Sequence, residues 1–131
     1  MPLLRFDLIE GRDKKTVTKL LDAAHDAVVR ALGVPVRDRY QIVHQHPEHE
    51  LIVQDTGLGI ERSKNVVLLT ITSFHRSDEL KQALYKALSE ELERQCGIAS
   101  NDLMISVVSN TASDWSFGFG AAQLLKGKPA A

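Results

Sequence analysis

The sequence predicts an α+β fold in which two β-α-β units form one mixed four-stranded sheet with two helices on one face. Three observations carry this expectation. Hydrophobic residues make up 44% and charged residues 25% of the 131 residues, the balance of a globular domain. Apolar residues switch along the chain between strand-like and helix-like spacing. The third observation is an internal repeat. Moved forward by 64 residues without a gap, Leu4 falls on Leu68, Arg12 on Arg76, Leu20 on Leu84, Gly33 on Gly97, Asp38 on Asp102 and Val43 on Val107. Strand, helix, stop glycine and second strand align together, so each half reads as strand–helix–strand.

The elements follow in order. "PLLRFDLIE" (2–10) is the first strand, opened by Pro2 at a position where a strand tolerates proline. Asp13 caps the first helix, whose Val17, Leu20, Leu21, Ala24, Val28, Ala31 and Leu32 recur at helical spacing. Gly33 stops it and Pro35 prevents its resumption. "RYQIVHQH" (39–46) is extended, "ELIVQD" (50–55) predicts a short strand, and "TGLG" (56–59) a turn. The second unit opens with "NVVLLTITS" (65–73), a continuous β-branched run of the kind buried on both faces. Ser77 caps a second helix that ends at Gly97, and "DLMISVVSN" (102–110) is the last strand. The chain thus reads as a single domain over 1–131. Repeat one covers about 2–45, repeat two about 66–110, and an aromatic segment fills 111–131. In this frame Pro2 falls on Val66. With both helices on one face, the other face of the sheet is bare, which calls for burial against other subunits.

Several function classes are excluded. Lys plus Arg is 16 and Asp plus Glu 17, a net charge of −1 without the basic excess of a nucleic-acid binder. No apolar run is long enough to span a bilayer, and no apolar signal core opens the chain. The single Cys96 forms no intrachain disulfide, which fits a reducing cytoplasm. "GLG" (57–59) lacks the strand-to-helix context of a nucleotide loop and reads as a turn, and no cofactor is expected. His44, His46 and His49 raise the question of a metal, and His44 and His46 share a strand face. No cysteine or acidic pattern completes a ligand set, so no metal is expected.

Removal of Met1, usual ahead of a small residue, leaves Pro2 with a free secondary amine. Such an amine has three uses. It is a general base when its pKa is lowered, a cationic acid when its pKa is raised, and an iminium former with a carbonyl. The segments "PLLRFDLIEGR" (2–12), "GVPVRDRYQIV" (33–43), "DTGLG" (55–59), "RSDELKQALYKALSEELERQCGI" (76–98) and "SDWSFGFG" (113–120) carry a resemblance over essentially the whole chain. The chain resembles the tautomerase superfamily, and within it the malonate semialdehyde decarboxylase branch. That resemblance implies a homotrimer, with an amino-terminal proline as the reactive group. It implies a small carboxylate-bearing carbonyl substrate, turned over by keto-enol tautomerisation or decarboxylation.

By the same resemblance Asp38 matches the catalytic aspartate, while its repeat partner Asp102 is left with the shared turn. Arg76 matches one of two arginines that bind the substrate carboxylate. The decarboxylase pattern reads Arg-Pro-Arg where this chain reads Phe74-His75-Arg76, so one carboxylate-binding cation is absent and the pocket is more apolar. His75, adjacent on a strand, points away from the place of Phe74. Trp115, Phe117 and Phe119 alternate, which puts all three on one side of an extended segment. The resemblance makes them walls of the pocket around Pro2. The competing reading is a non-catalytic trimeric binding or scaffold protein that keeps the fold.

Overall fold

In the computed structural model, which describes residues 1–126, the first strand β1 (Leu3–Ile9) leads into helix α1 (Lys14–Leu32) and strand β2 (Tyr40–His46). After a long connection come β3 (Val67–Phe74), α2 (Asp78–Cys96) and β4 (Leu103–Asn110). A four-residue helix α3 (Gln123–Lys126) follows. Residues 127–131 of the predicted aromatic segment lie outside the described residues.

Local chemistry sets the helix limits. The Asp13 carboxylate accepts the Thr16 N–H at 2.8 Å, and the Ser77 hydroxyl accepts that of Leu80 at 3.2 Å. Gly33 (φ 66°) and Gly97 (φ 67°) end the two helices in the left-handed conformation that glycine adopts without steric cost.

The sheet runs β2-β1-β3-β4, with β1 and β2 parallel, β1 and β3 antiparallel, and β3 and β4 parallel. It is the mixed four-stranded sheet predicted. Leu4, Phe6 and Leu8 of β1 and Val67, Leu69 and Ile71 of β3 are buried on one face. They pack with Leu20, Ala24 and Val28 of α1 and Leu84, Leu88 and Leu92 of α2 in one core. Alternate residues Arg5 and Asp7 of β1 and Thr70 and Thr72 of β3 face the other way, on a face that no helix among the described residues covers.

Two expectations need correction. Residues 51–55 form no strand: Pro47 opens a 3-10 turn at Glu48–Glu50, and the following segment finds no ladder partner in the sheet. Asp55 instead folds the chain back, accepting the N–H groups of Gly57 and Gly59 at 3.1 Å each. The repeat frame also slips within the first strand of each unit. Phe6 pairs with Val43, whereas Val107, the counterpart of Val43, pairs with Ile71. The counterpart of Phe6 is therefore Ile71, 65 residues on, and that of Pro2 is Val67, not Val66. The connection of four residues from β1 to α1 becomes three from β3 to α2. A gap-free alignment hides this deletion and assigns strand side chains to the wrong face.

Candidate active site

Pro2 precedes β1 and is fully buried. Leu3 pairs with Tyr40 on one side and Thr72 on the other. Continuing those ladders sets Pro2 beside Ser73, and Met1 between Asp38 and Phe74. The chain's amino group is thus held at the end of the central strand β1, between β2 and β3.

Its closest partner is Asp38, whose carboxylate pairs with the Met1 amine. Asp38 sits in a turn closed by its own N–H donating to the Pro35 carbonyl at 2.9 Å. Asp102 closes the same turn in the second unit, its N–H donating to Ala99 at 2.9 Å. The side chains then diverge. Asp102 is buried and accepts the Ser63 N–H at 2.7 Å and the Ser63 hydroxyl at 2.5 Å. The Asp38 carboxylate is left for the amine.

Arg76 approaches from the turn between β3 and α2. Its Nε donates to the Ser73 hydroxyl at 3.4 Å, and its guanidinium lies 4.4 Å from the centre of the Phe74 ring. Phe74 therefore supplies no charge but gives Arg76 a face to stack on, a contact worth about 0.5–1 kcal/mol. Burial first, and the Arg76 cation second, push the Met1 amine down from 8.0 to about 6. Contact with Asp38 favours the ammonium form and opposes both. Burial also lowers the Arg76 guanidinium from its ordinary value, although it remains a cation.

Trp115 and Phe117 stack at 5.6 Å, and Phe117 stacks on Tyr40 at 5.9 Å. The Trp115 indole N–H donates to the Asn110 side chain at 2.9 Å, which fixes the row to the end of β4. Tyr40 in turn borders the groove beside Pro2, with His25, Val28 and Asp38. The row of one-sided aromatics breaks at Phe119, which has φ 59° and is fully exposed. A left-handed residue turns the chain, so Phe119 leaves the side that Trp115 and Phe117 share. His75 follows the last residue of β3 and is exposed, and its backbone N–H donates to the Asn110 carbonyl at 3.0 Å.

The structure thus brings together Pro2, Asp38, Phe74 and Arg76, and joins Trp115 and Phe117 to them through Tyr40. Tyr40, Ser73 and His25 were missed in the sequence. Their roles come from pairing across strands and from the packing of α1, which no local motif encodes.

The second unit holds a twin of this pocket. Arg12, the counterpart of Arg76, donates to the Asn65 carbonyl at 2.6 Å beside a cavity of about 130 Å³ lined by Thr16, Leu20, Cys96, Gly97 and Ile98. Where the first unit has a chain terminus, this one has the continuous backbone of Val66 and Val67, so it offers no amine. Cys96 there is half-buried, and burial pushes its thiol up from its ordinary value. On the uncovered face, His44 and His46 stand together as their spacing predicts, with Asp7 beside them and His49 apart in the 3-10 turn. Among the described residues no helix is long and apolar enough to cross a membrane.

Two family models, both described as tautomerase enzyme, match residues 2–61 and 38–118. The Bacillus subtilis (strain 168) protein named Probable tautomerase YrdN is 60% identical over 128 residues, which is 98% of this chain and 99% of that protein. A malonate semialdehyde decarboxylase described with decarboxylase and hydratase activities superposes with a TM-score of 0.93. It is 52% identical over 95% of this chain and 97% of its own. The FG41 malonate semialdehyde decarboxylase inhibited by 3-bromopropiolate gives 0.91 at 39% identity, covering 98% of both chains. With two strand–helix–strand units in one sheet and an amino group held among the residues above, the chain belongs to the tautomerase superfamily, on its malonate semialdehyde decarboxylase-like branch.

Proposed function

We propose that Met1 is removed and that the Pro2 amine is the reagent of a cofactor-free tautomerase or decarboxylase acting on a small keto or semialdehyde carboxylic acid. One observation carries this reading: at the end of the central strand β1 the Met1 amine pairs with a carboxylate, Asp38, and feels the charge of a cation, Arg76.

In tautomerisation the neutral Pro2 amine takes the enol hydroxyl proton and returns it to carbon as the carbonyl forms. Arg76 holds the substrate carboxylate and stabilises negative charge developing on the enolate. Asp38 orders the polar end of the site. In decarboxylation the ammonium form of Pro2 polarises the aldehyde, Arg76 releases the carboxylate as carbon dioxide, and the resulting enol is protonated at carbon. Trp115, Phe117 and Tyr40 wall the site and limit water. His75 stands at its rim, and the exposed Phe119 points outward. With Phe74 in place of a second cation, tautomerase chemistry is the favoured role, since it needs a neutral amine and only one carboxylate contact.

The pKa of the processed Pro2 amine, read by nitrogen NMR titration, tests the assignment. The burial and the Arg76 charge that lower the Met1 amine act on Pro2 as well. We expect a midpoint below the roughly 7.7–8.0 of a free α-amine. Activity that needs the neutral base then rises with pH through that midpoint and levels off above it. A midpoint well above that range contradicts the base role and favours the cationic-acid route. The scaffold reading draws on Phe74 alone, and it predicts no activity that depends on Pro2.

A further inference from the structure

We propose that Asp7, His44 and His46 form a zinc site on the helix-free face of the sheet, separate from the candidate active site. The parallel register of β1 and β2 sets Asp7 opposite His44 and Ile9 opposite His46. His44 and His46 alternate along β2 and so project to one face, and Asp7 projects to the same face between the inward Phe6 and Leu8. One ligand atom from each lies within 4.8 Å of the others. His46 Nε2 is 2.7 Å from Asp7 Oδ1, and His44 Nδ1 is 4.0 Å from the same oxygen. Tetrahedral zinc with bonds of about 2.0–2.1 Å spaces its ligand atoms about 3.3 Å apart. That spacing falls between the two distances, so side-chain rotation suffices to seat the ion. Two imidazoles and a carboxylate suit zinc and leave one position for water.

Two further observations support a cation here. The Arg5 guanidinium already occupies the cluster, donating to His44 Nδ1 at 2.8 Å and lying 3.9 Å from Asp7. Since arginine only donates, Nδ1 of His44 presents its lone pair inward, as a metal ligand must. In the single chain the Arg5 side chain is half exposed. Second, the fold does not require these residues. Their counterparts in the second unit are Thr72, Val108 and Asn110, which build the same pair of strands without a ligand set. From Pro2 to Asp7 the strand runs about 16 Å, so the two sites do not share groups.

The test is zinc and cobalt binding by the full, assembled chain after chelator treatment. We expect about one zinc retained per chain, and a visible cobalt(II) absorption with one equivalent of metal. Asp7→Asn, His44→Ala and His46→Ala should each weaken retention at least about tenfold. His49→Ala should not, and Arg5→Gln should tighten it by removing the competing cation. Circular dichroism of each variant checks that it is folded. Absence of the cobalt band in the unaltered chain overturns the proposal whatever the variants do. So does zinc retention that survives His44→Ala and His46→Ala together, or that His49→Ala abolishes.

Discussion

Phe74 stands where the related decarboxylase pattern has arginine, and it underlies Arg76 at 4.4 Å. On the proposed reading, the exchange trades a second carboxylate donor for a stacking face. Phe74→Arg should therefore raise affinity for a small carboxylate by about ten- to a hundredfold, as a charged hydrogen bond worth about 1.5–3 kcal/mol implies. Competition by a carboxylate inhibitor measures this, and unchanged affinity would place position 74 outside the pocket. The identities of Pro2, Asp38 and Arg76 were legible from the sequence through the repeat and the resemblance together. The partners Ser73 and Tyr40 were not, because each meets the site from a strand paired across the sheet. Phe119 misled because alternation presumes extended backbone, and its positive φ breaks that premise.

At the level of elements, one turn is used twice. The turn before β2 delivers Asp38 to the amino terminus, and the matching turn before β4 delivers Asp102 to Ser63. Asp102 thus ties the long connection to the start of the second unit. Asp102→Asn leaves a donor where a carboxylate oxygen had accepted a buried N–H or hydroxyl. It should cost about 1–3 kcal/mol in urea unfolding, whereas Asp38→Asn should change activity with little loss of stability. Equal stability losses from the two would contradict the division of roles. Helix limits and the main strands were legible because caps and apolar periodicity are local. The strand expected at 50–55 failed because a strand needs a neighbour, and local sequence does not say whether one is free. The one-residue slip between the units stayed hidden because the deleted residue lies in a turn, where it leaves no hydrophobic signature.

For the whole molecule, the sheet has one face covered by α1 and α2 and one face that nothing among the described residues of the single chain covers. Ile42 and Val108 stand on the second face, and Phe119 is exposed beyond the edge of the aromatic row. We expect three chains of 14.5 kDa to close that face as a homotrimer of about 43.5 kDa, which sedimentation equilibrium measures directly. A stable monomer at micromolar concentration would contradict this. The bare face was predictable from two crossovers in one sheet. The grouping of Asp7, His44 and His46 on it was not, because Asp7 lies 37 residues from His44 in sequence and only the β1–β2 register brings them together.

The central claim is that the terminal amine of Pro2 carries the chemistry. It is tested most directly by comparing wild type with Pro2→Ala on phenylenolpyruvate and malonate semialdehyde, with Met1 removal verified in both by mass spectrometry. The account predicts that the variant folds and assembles normally while kcat/KM on the accepted substrate falls by about 10²–10⁴. Equal turnover by the two proteins, or full activity in a chain that keeps Met1, would contradict it.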